Sequence, residues 1–281
     1  MIIDAHTHIF PPEVIERRDV FAKRDSSFES IYGDPKSRMV TYPGLIEEMD
    51  SSGVDMAIVC GFPWRSLDLC RQHNTYMMEA VRAHPDRLIG LAIVNPVAGN
   101  ASDKELERCL DGGLKGVGEI SAEAQGFSLD DTSTAGRIAS VVAEAGLFML
   151  VHANEDVGHF YPGKTPTNPA AVYRFLEKFP DTCTVLAHWG GGLFFYEMMP
   201  EVARVTSSVY YDTAASPFLY RPQVYRVAVD IVGPGRILFA TDFPLLKMQR
   251  HLDEINKAGL SEDVRTALLG RNAKGLLGLE F

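Results

Sequence analysis

The stretch from Phe148 to His188 begins with the apolar run FMLVH (148–152) and ends with a second such run, TVLAH (184–188). Between them, the apolar spacing of Pro169–Phe179 predicts an amphipathic helix. Strands that are apolar nearly throughout are typical of parallel sheets covered on both faces. The stretch therefore predicts a strand–helix–strand unit in which each strand ends on a histidine.

The same alternation of apolar runs and helix-like segments extends over the rest of the chain. Eight runs are predicted as strands: Ile2–Ala5, Asp55–Cys60, Leu88–Val94, Gly116–Ile120, Phe148–His152, Thr184–His188, Val209–Asp212 and Ile237–Thr241. Eight such units in 281 residues predict an α/β fold, a (β/α)₈ barrel that forms a single domain over residues 1–281. A doubly wound sheet is the alternative, and the number of strands favours the barrel.

Residues 11–42 interrupt this pattern, because they are less regular and rich in charge. We interpret them as an excursion over the top of the barrel after the first strand. Further along, the strongly apolar segment LFFYEMM (193–199) follows three glycines. Burial within the monomer or contact with a second subunit of a homo-oligomer would explain this segment equally well.

The composition excludes several classes of protein. The chain has 27 Lys and Arg against 37 Asp and Glu, a formal net charge of −10, so we expect no nucleic-acid or anionic membrane partner. The N-terminus lacks the features of a signal peptide, and no apolar run is long enough to span a membrane. Four widely spaced cysteines indicate reduced thiols, so we predict a cytoplasmic location.

Six residues that can bind a metal follow or end the predicted strands. His6 and His8 are separated by one residue at the first strand, so both imidazoles share one face. The others are Glu119, His152, His188 and Asp242. A histidine pair alone is also compatible with two hydrogen-bonded side chains, but the whole set lies at the end of the barrel where active sites assemble. The sequence therefore predicts a metal site at the C-terminal ends of the strands.

The motifs DAHTHIF, GVGEI, AHWGGG and ATDFP, together with the histidine that ends FMLVH, resemble the amidohydrolase superfamily. The likeness covers almost the whole chain and is greatest to the branch that includes aminocarboxymuconate semialdehyde decarboxylase and lactone hydrolases. The resemblance implies that His6, His8 and His152 are metal ligands. It implies that His188 binds a second metal or holds the attacking water or the substrate.

The resemblance also gives Asp242 two roles, as a metal ligand and as the acceptor of the proton from a metal-bound water. Glu119 departs from the members that use a carbamylated lysine at the fourth strand, and it resembles the bridging glutamate of TatD-like deoxyribonucleases. Whether Glu119 bridges two metals or only pairs with a neighbouring group stays open. One or two divalent ions per chain are expected. Zinc is the first expectation, and Mn²⁺, Fe²⁺ and Co²⁺ are compatible with the same ligands.

The sequence favours hydrolysis as the reaction. A zinc ion would activate water to attack an amide, ester or lactone-like carbonyl of a small molecule, with Asp242 and His188 as catalytic residues. The alternative is a metal-dependent decarboxylase of a small aromatic or muconate-like acid. A non-catalytic binding protein would be expected to have lost ligands, and all six are present. The net charge argues against a nuclease.

Loops that follow the strands supply the candidate substrate contacts. Aromatic and cationic side chains in these loops are the residues that would wall a planar pocket or grip a carboxylate. We predict a substrate-binding role for Trp64, Arg65, Tyr161, Lys164 and Arg221.

Overall fold

A computed structural model describes residues 1–279 of the chain, and eight parallel strands form its centre. The strands are β1 (Ile3–His8), β2 (Met56–Cys60), β3 (Leu88–Gly90), β4 (Gly116–Ile120), β5 (Phe148–Val151), β6 (Cys183–Leu186), β7 (Tyr210–Asp212) and β8 (Ile237–Leu238). They pair in the orders β1-β2-β3 and β4-β5-β6-β7-β8.

Two isolated β-bridges join the three-stranded and the five-stranded sheet into a barrel. Thr7 pairs with Phe243, and Ala92 pairs with Val117. The backbone N–H of Ala5 also donates to the carbonyl of Phe239. The barrel predicted from the alternating pattern is confirmed.

Helices cover the outside of the barrel. The longer ones are α4 (Tyr42–Ser52), α5 (Leu67–Ala83), α6 (Asn100–Asp111), α8 (Thr132–Glu144), α9 (Pro169–Lys178), α12 (Val224–Val232) and α13 (Met248–Lys257). The shorter ones are α1 (Pro12–Glu16), α2 (Arg18–Ala22), α3 (Ser26–Tyr32), α7 (Ala122–Gln125), α10 (Pro200–Val205), α11 (Ser216–Leu219), α14 (Glu262–Thr266) and α15 (Asn272–Leu276). Single helical turns span Pro96–Ala98 and Ala267–Arg271, and an irregular 3₁₀ segment spans His188–Met198.

Alternation along the strands divides the core into two layers. In β2, Ile58 packs into the barrel interior with Leu150 of β5 and Val185 of β6. The neighbouring strand residues, such as Val59 and Met149, instead pack against the helices. Because successive side chains point to opposite faces, one run of apolar residues fills both layers.

Residues 11–42 form α1, α2 and α3 and lie against a separate aromatic cluster. Phe28 of α3 stacks on Trp64 at 4.8 Å between ring centroids, and Phe21 of α2 also contacts Trp64. The predicted excursion thus consists of short helices with their own small core. Among residues 1–279, no helix is both long and apolar enough to cross a membrane.

Several strand ends differ from the sequence-based prediction. Strand β1 continues to His8, so both histidines lie within it. Strand β6 ends at Leu186, and His188 instead opens a left-handed turn that continues through Trp189 to Gly192. This turn leaves Phe195, Tyr196, Met198 and Met199 exposed, so burial within the monomer does not explain the whole apolar segment. A homo-oligomer stays a prediction.

Candidate metal centre and cavity

The six predicted metal-binding side chains meet at one end of the barrel. Glu119 of β4 lies at their centre, with His6 and His8 of β1 on one side. Its Oε2 atom is 3.6 Å from His6 Nε2 and 3.7 Å from His8 Nε2. Its Oε1 atom is 2.8 Å from His152 Nδ1 and 3.6 Å from His188 Nε2. Four imidazoles therefore surround one carboxylate.

Asp242 joins the His6 and His8 side of this cluster. Its Oδ1 atom is 3.3 Å from His8 Nε2 and 4.0 Å from His6 Nε2. The chain holds Asp242 there because its backbone N–H donates to the His6 carbonyl at 2.9 Å. Asp242 is half-buried, whereas His6, His8, Glu119 and His188 are buried.

The donor atoms form two groups that share Glu119. One group is His6, His8 and Glu119, and the other is Glu119, His152 and His188, with the ligand atoms of each group within 4.8 Å of one another. The two oxygens of Glu119 face different groups, as a bridging carboxylate would.

The outer nitrogen of each imidazole faces a hydrogen-bond acceptor. His6 Nδ1 is 2.8 Å from Asp212 Oδ2, and His8 Nδ1 is 3.3 Å from the Gly61 carbonyl. His188 Nδ1 is 3.3 Å from the Ala214 carbonyl, and His152 Nε2 is 3.0 Å from Asn154 Oδ1. Because these acceptors need a donor, each outer nitrogen carries the proton, and each inner nitrogen presents a lone pair.

These lone pairs face acceptors rather than donors. His6 Nε2 and His8 Nε2 are 3.0 Å apart, and His152 Nδ1 lies 2.8 Å from a carboxylate oxygen. Two facing lone pairs repel, so positive charge must lie between them, as a proton or as a metal ion. Metal-binding histidines usually donate their other ring proton to an acceptor in this way. The donor set therefore fits a divalent metal ion.

The pKa values of His6, His188 and Glu119 are shifted by the charges of their neighbours. Burial would lower the pKa of His6, but Glu119 and Asp212 outweigh burial and raise it well above its ordinary value. Burial likewise opposes the charged form of His188, but Glu119 and Asp242 raise the pKa of His188 to about 9. Burial would raise the pKa of Glu119, yet His152 and His6 hold it well below its usual range. The cluster attracts positive charge.

Asp212 at the end of β7 is a site residue that the sequence analysis missed. It is fully buried, and besides His6 it accepts the backbone N–H groups of His188 at 2.8 Å and Ala214 at 3.0 Å. It thus orients one imidazole and fixes the turn that carries another. The signal was available, because Asp212 ends a predicted strand as the recognised candidates do.

A cavity of about 790 Å³ opens from this cluster. Its polar floor includes Glu119, His152 and Asp242. Its walls include several apolar side chains: Ile31, Phe62, Phe160, Phe218, Leu219 and Leu245. A polar end and apolar walls are typical of a site for a small organic molecule.

Two of the five predicted substrate-binding residues line this cavity, namely Tyr161 and Lys164. The Tyr161 hydroxyl donates to Glu155 at 3.0 Å. The Lys164 ammonium donates to the Val157 carbonyl at 2.8 Å and lies 5.5 Å from the centre of the Tyr161 ring. Lys164 is therefore partly engaged by its own loop.

The other three predicted substrate-binding residues do not line the cavity, and their substrate-binding role stays a prediction. Trp64 is buried in the aromatic cluster of the excursion, and its indole N–H donates to His73 at 3.0 Å. Arg65 and Arg221 are exposed outside the cavity wall. The excursion instead supplies cavity residues that the sequence analysis did not identify, including Tyr32 and Arg38.

A family model described as amidohydrolase matches residues 3–279, so the chain belongs to this family of enzymes. One similar protein is the gamma-resorcylate decarboxylase of Polaromonas sp. (strain JS666), 22% identical over 259 residues, which cover 76% of this chain and 78% of the relative.

Solved structures share the fold. The 5-carboxyvanillate decarboxylase of Sphingomonas paucimobilis has a TM-score of 0.81 at 20% identity, over 99% of both chains. The 5-carboxyvanillate decarboxylase of Novosphingobium aromaticivorans also has a TM-score of 0.81, at 18% identity, over 99% of this chain and 96% of its own. The latter was solved with manganese and 4-hydroxy-3-methoxy-5-nitrobenzoic acid.

The comparisons confirm the resemblance to the amidohydrolase superfamily and correct the expected reaction. The relatives described here are decarboxylases, so the expectation of a hydrolase is wrong. The matches favour the alternative prediction, a metal-dependent decarboxylase. They also give no particular support to zinc, since the metal in the Novosphingobium structure is manganese.

Proposed function

We propose that this protein is a metal-dependent decarboxylase of a small hydroxylated aromatic acid. The observation that carries the proposal is the cavity, in which a cluster of metal-binding side chains forms the floor and Phe62, Phe218 and Leu245 contribute to apolar walls. A planar ring fits between such walls, while its carboxylate reaches the floor. The decarboxylases similar to this chain support the same substrate class.

In this proposal His6, His8, Glu119 and Asp242 hold one ion, and His152 and His188 complete a second position with the other oxygen of Glu119. When bound, the divalent ion would supply positive charge that holds and polarises the substrate carboxylate and a neighbouring oxygen. We propose Mn²⁺ as the ion, since histidine and carboxylate ligands accept it and a neighbouring structure contains it.

Decarboxylation requires one proton for each carbon dioxide released. The bond between the ring and the carboxylate breaks, its electron pair stays on the ring carbon, and that carbon takes a proton. Asp242 is the proposed proton donor because it lines the cavity and is partly accessible from it. Its carboxyl group would take the proton from solvent and deliver it to the ring carbon.

His188 has a positioning role in the same proposal. Its Nδ1–H is engaged by the Ala214 carbonyl, so its Nε2 atom faces the cavity floor. This fixed orientation leaves Nε2 to hold the ion or a substrate oxygen.

The proposal is tested by incubating the manganese-loaded protein with 2,6-dihydroxybenzoate and 5-carboxyvanillate. Carbon dioxide release and the decarboxylated product would be measured together, with the metal-free protein as the control. We expect equal amounts of both products from at least one hydroxybenzoate. Full metal occupancy without carbon dioxide from any member of a hydroxybenzoate panel would contradict the proposal.

Metal content separates the two possible roles of Glu119. Mass spectrometry of metals would be run on the wild-type protein and on Glu119→Ala. About two ions per chain that fall toward one in the variant would support a bridging carboxylate. One ion in both proteins would leave Glu119 as a partner of the ligands.

A further inference from the structure

The loop that follows β5, residues 155–166, forms one wall of the cavity, and all residues from 159 to 166 line it. The tip of the loop is poorly buried, because Val157 and Phe160 are 79% and 81% exposed. A segment that buries little apolar surface depends more on the hydrogen bonds at its base. Those hydrogen bonds converge on Asn154, a buried residue directly before the loop.

The side chain of Asn154 is hydrogen-bonded to the loop at two points. Its amide nitrogen donates to the Tyr161 hydroxyl at 3.1 Å, and that hydroxyl donates to Glu155. Its amide oxygen accepts the backbone N–H of Thr165 at 2.7 Å and the Thr165 hydroxyl at 3.1 Å. Since a backbone N–H can only donate, the side-chain atom that faces it must be the oxygen. The loop therefore fixes the orientation of the amide.

The same amide oxygen faces the metal end of the cavity. It lies 3.0 Å from His152 Nε2, and the carbonyl of Gly163, which belongs to the loop, lies 3.1 Å from that nitrogen. Two acceptors at one nitrogen require that this nitrogen carries the ring proton. His152 Nδ1, which lies 2.8 Å from Glu119 Oε1, therefore keeps its lone pair for an ion. The folded loop thus determines which nitrogen of His152 can bind a metal.

We propose that Asn154 is a positioning residue that couples metal binding at His152 to the ordering of the cavity wall. With the loop in place, Asn154 and Gly163 hold His152 in the form that binds the ion. Occupation of His152 Nδ1 in turn favours the loop conformation that accepts the proton of Nε2. Such coupling is reciprocal, so metal binding completes the wall that the substrate meets. The inference rests on the metal ligands of the proposed function and adds an order of binding, the metal before the substrate.

Hydrogen–deuterium exchange of backbone amides tests this coupling. Exchange in peptides that cover residues 155–166 would be followed by mass spectrometry while Mn²⁺ is titrated into the metal-free protein. In the wild-type protein we expect Mn²⁺ to slow exchange in the loop by about threefold or more. Peptides from α6 (Asn100–Asp111), on the outside of the barrel, should not respond. The Mn²⁺ concentration at the midpoint of the loop response measures occupation of His152.

Two variants of Asn154 test its part in this response. Asn154→Ala removes all hydrogen bonds of the side chain. The midpoint should then rise about 10- to 100-fold, the usual effect of losing an outer partner of a metal-binding histidine. Asn154→Asp keeps an acceptor toward His152 and Thr165, so its midpoint should rise less than about threefold.

Asn95→Ala is the matched control for the loss of a buried asparagine. Asn95 follows β3 and is 2% exposed, against 1% for Asn154. Its amide bonds to backbone groups of Val97, Arg65 and Gln125, and to no imidazole among residues 1–279. Its midpoint should stay within about twofold of the wild-type value. Thermal unfolding would check that each variant is folded.

The wild-type protein alone can overturn the inference, if Mn²⁺ binds and exchange in the loop does not change. A wild-type midpoint in Asn154→Ala would also overturn it. Equal shifts in Asn154→Ala and Asn154→Asp would show that the acceptor toward His152 is irrelevant. An equal shift in Asn95→Ala would trace the effect to a general loss of stability, again against the inference.

Release of carbon dioxide keeps this inference distinct from the proposed function. If the wild-type protein decarboxylates a hydroxybenzoate while its loop ignores Mn²⁺, the inference alone is wrong. If the loop and the variants respond as expected but no carbon dioxide is released, the proposed function fails and the inference stands. If the wild-type protein binds no Mn²⁺, both fail.

Discussion

Replacing Asp212 by asparagine tests the arrangement of lone pairs at the metal site. Asp212 Oδ1 accepts the backbone N–H groups of His188 and Ala214, and Oδ2 lies 2.8 Å from His6 Nδ1. In Asp212→Asn, the amide oxygen is held by the two backbone donors, so the amide NH₂ faces His6. The proton of His6 must then move to Nε2, which removes its lone pair from the site.

The expected cost follows from this change of one partner. Loss of an outer partner of a metal-binding histidine typically weakens metal binding by about 10- to 100-fold, or about 1.4–2.7 kcal/mol. We expect the affinity of Asp212→Asn for Mn²⁺ to fall within this range, while the backbone hydrogen bonds and the turn at His188 persist. Competition with a fluorescent chelator would measure the affinity, and circular dichroism would monitor the fold.

Asp4→Asn is the matched control, because Asp4 is also fully buried on the strands beneath the site. Its carboxylate accepts the Thr241 hydroxyl at 2.6 Å and the Thr241 and His6 backbone N–H groups, but no imidazole nitrogen. The control should retain its Mn²⁺ affinity within about threefold. Equal affinities of Asp212→Asn and wild type, or equal losses in both variants, would refute the reasoning about the histidine tautomers.

Three further outcomes are expected. Asp242→Asn should lower the decarboxylation rate by roughly 10²- to 10⁴-fold with the fold intact, because it removes the proposed proton donor; a near-normal rate of carbon dioxide release would remove Asp242 from that role. The pKa of His188 is about 9 without metal, so at pH 7 metal binding must displace its proton and Mn²⁺ affinity should rise up to about pH 9; calorimetry in two buffers should detect the released proton, and its absence would contradict the assignment. Gly191→Ala should destabilise the fold by at least about 1–2 kcal/mol, because Gly191 has a φ of +60° and a Cβ atom there would lie 2.2 Å from the Asn154 carbonyl oxygen. Thermal unfolding would measure the loss. Gly235→Ala is the control, because a Cβ atom there meets nothing within 4 Å.

The positions of the proposed metal-binding side chains could be anticipated because barrel geometry brings the ends of all strands together. His6, His8 and Glu119 lie within strands, and His152 directly follows one. A short apolar run that ends on a polar residue is therefore enough to place that residue at the common end. Asp212 satisfies the same rule, and it was missed because tyrosines precede it and no motif marked it.

The substrate contacts were harder to predict because they depend on how loops fold. Trp64 lies four residues after the end of β2 and directly after a proline, in a loop that could reach the cavity, but α3 covers it with Phe28. That contact joins residues 36 positions apart, and no periodicity in residues 11–42 predicts it. Tyr32 and Arg38 line the cavity and belong to the same excursion, so the burial of Trp64 and the two unanticipated cavity residues have one physical cause.

The reaction type cannot be read from the donor set, because hydrolysis and decarboxylation can use the same charges. A glutamate that bridges two metals would suit hydrolysis. In the structure, four imidazoles surround the Glu119 carboxylate. This arrangement suits either reaction. The two reactions differ in which substrate group is held next to Asp242. They also differ in which substrate atom takes the proton from Asp242. The cavity walls determine that group, and those walls come from loops and from α3 rather than from the strand ends.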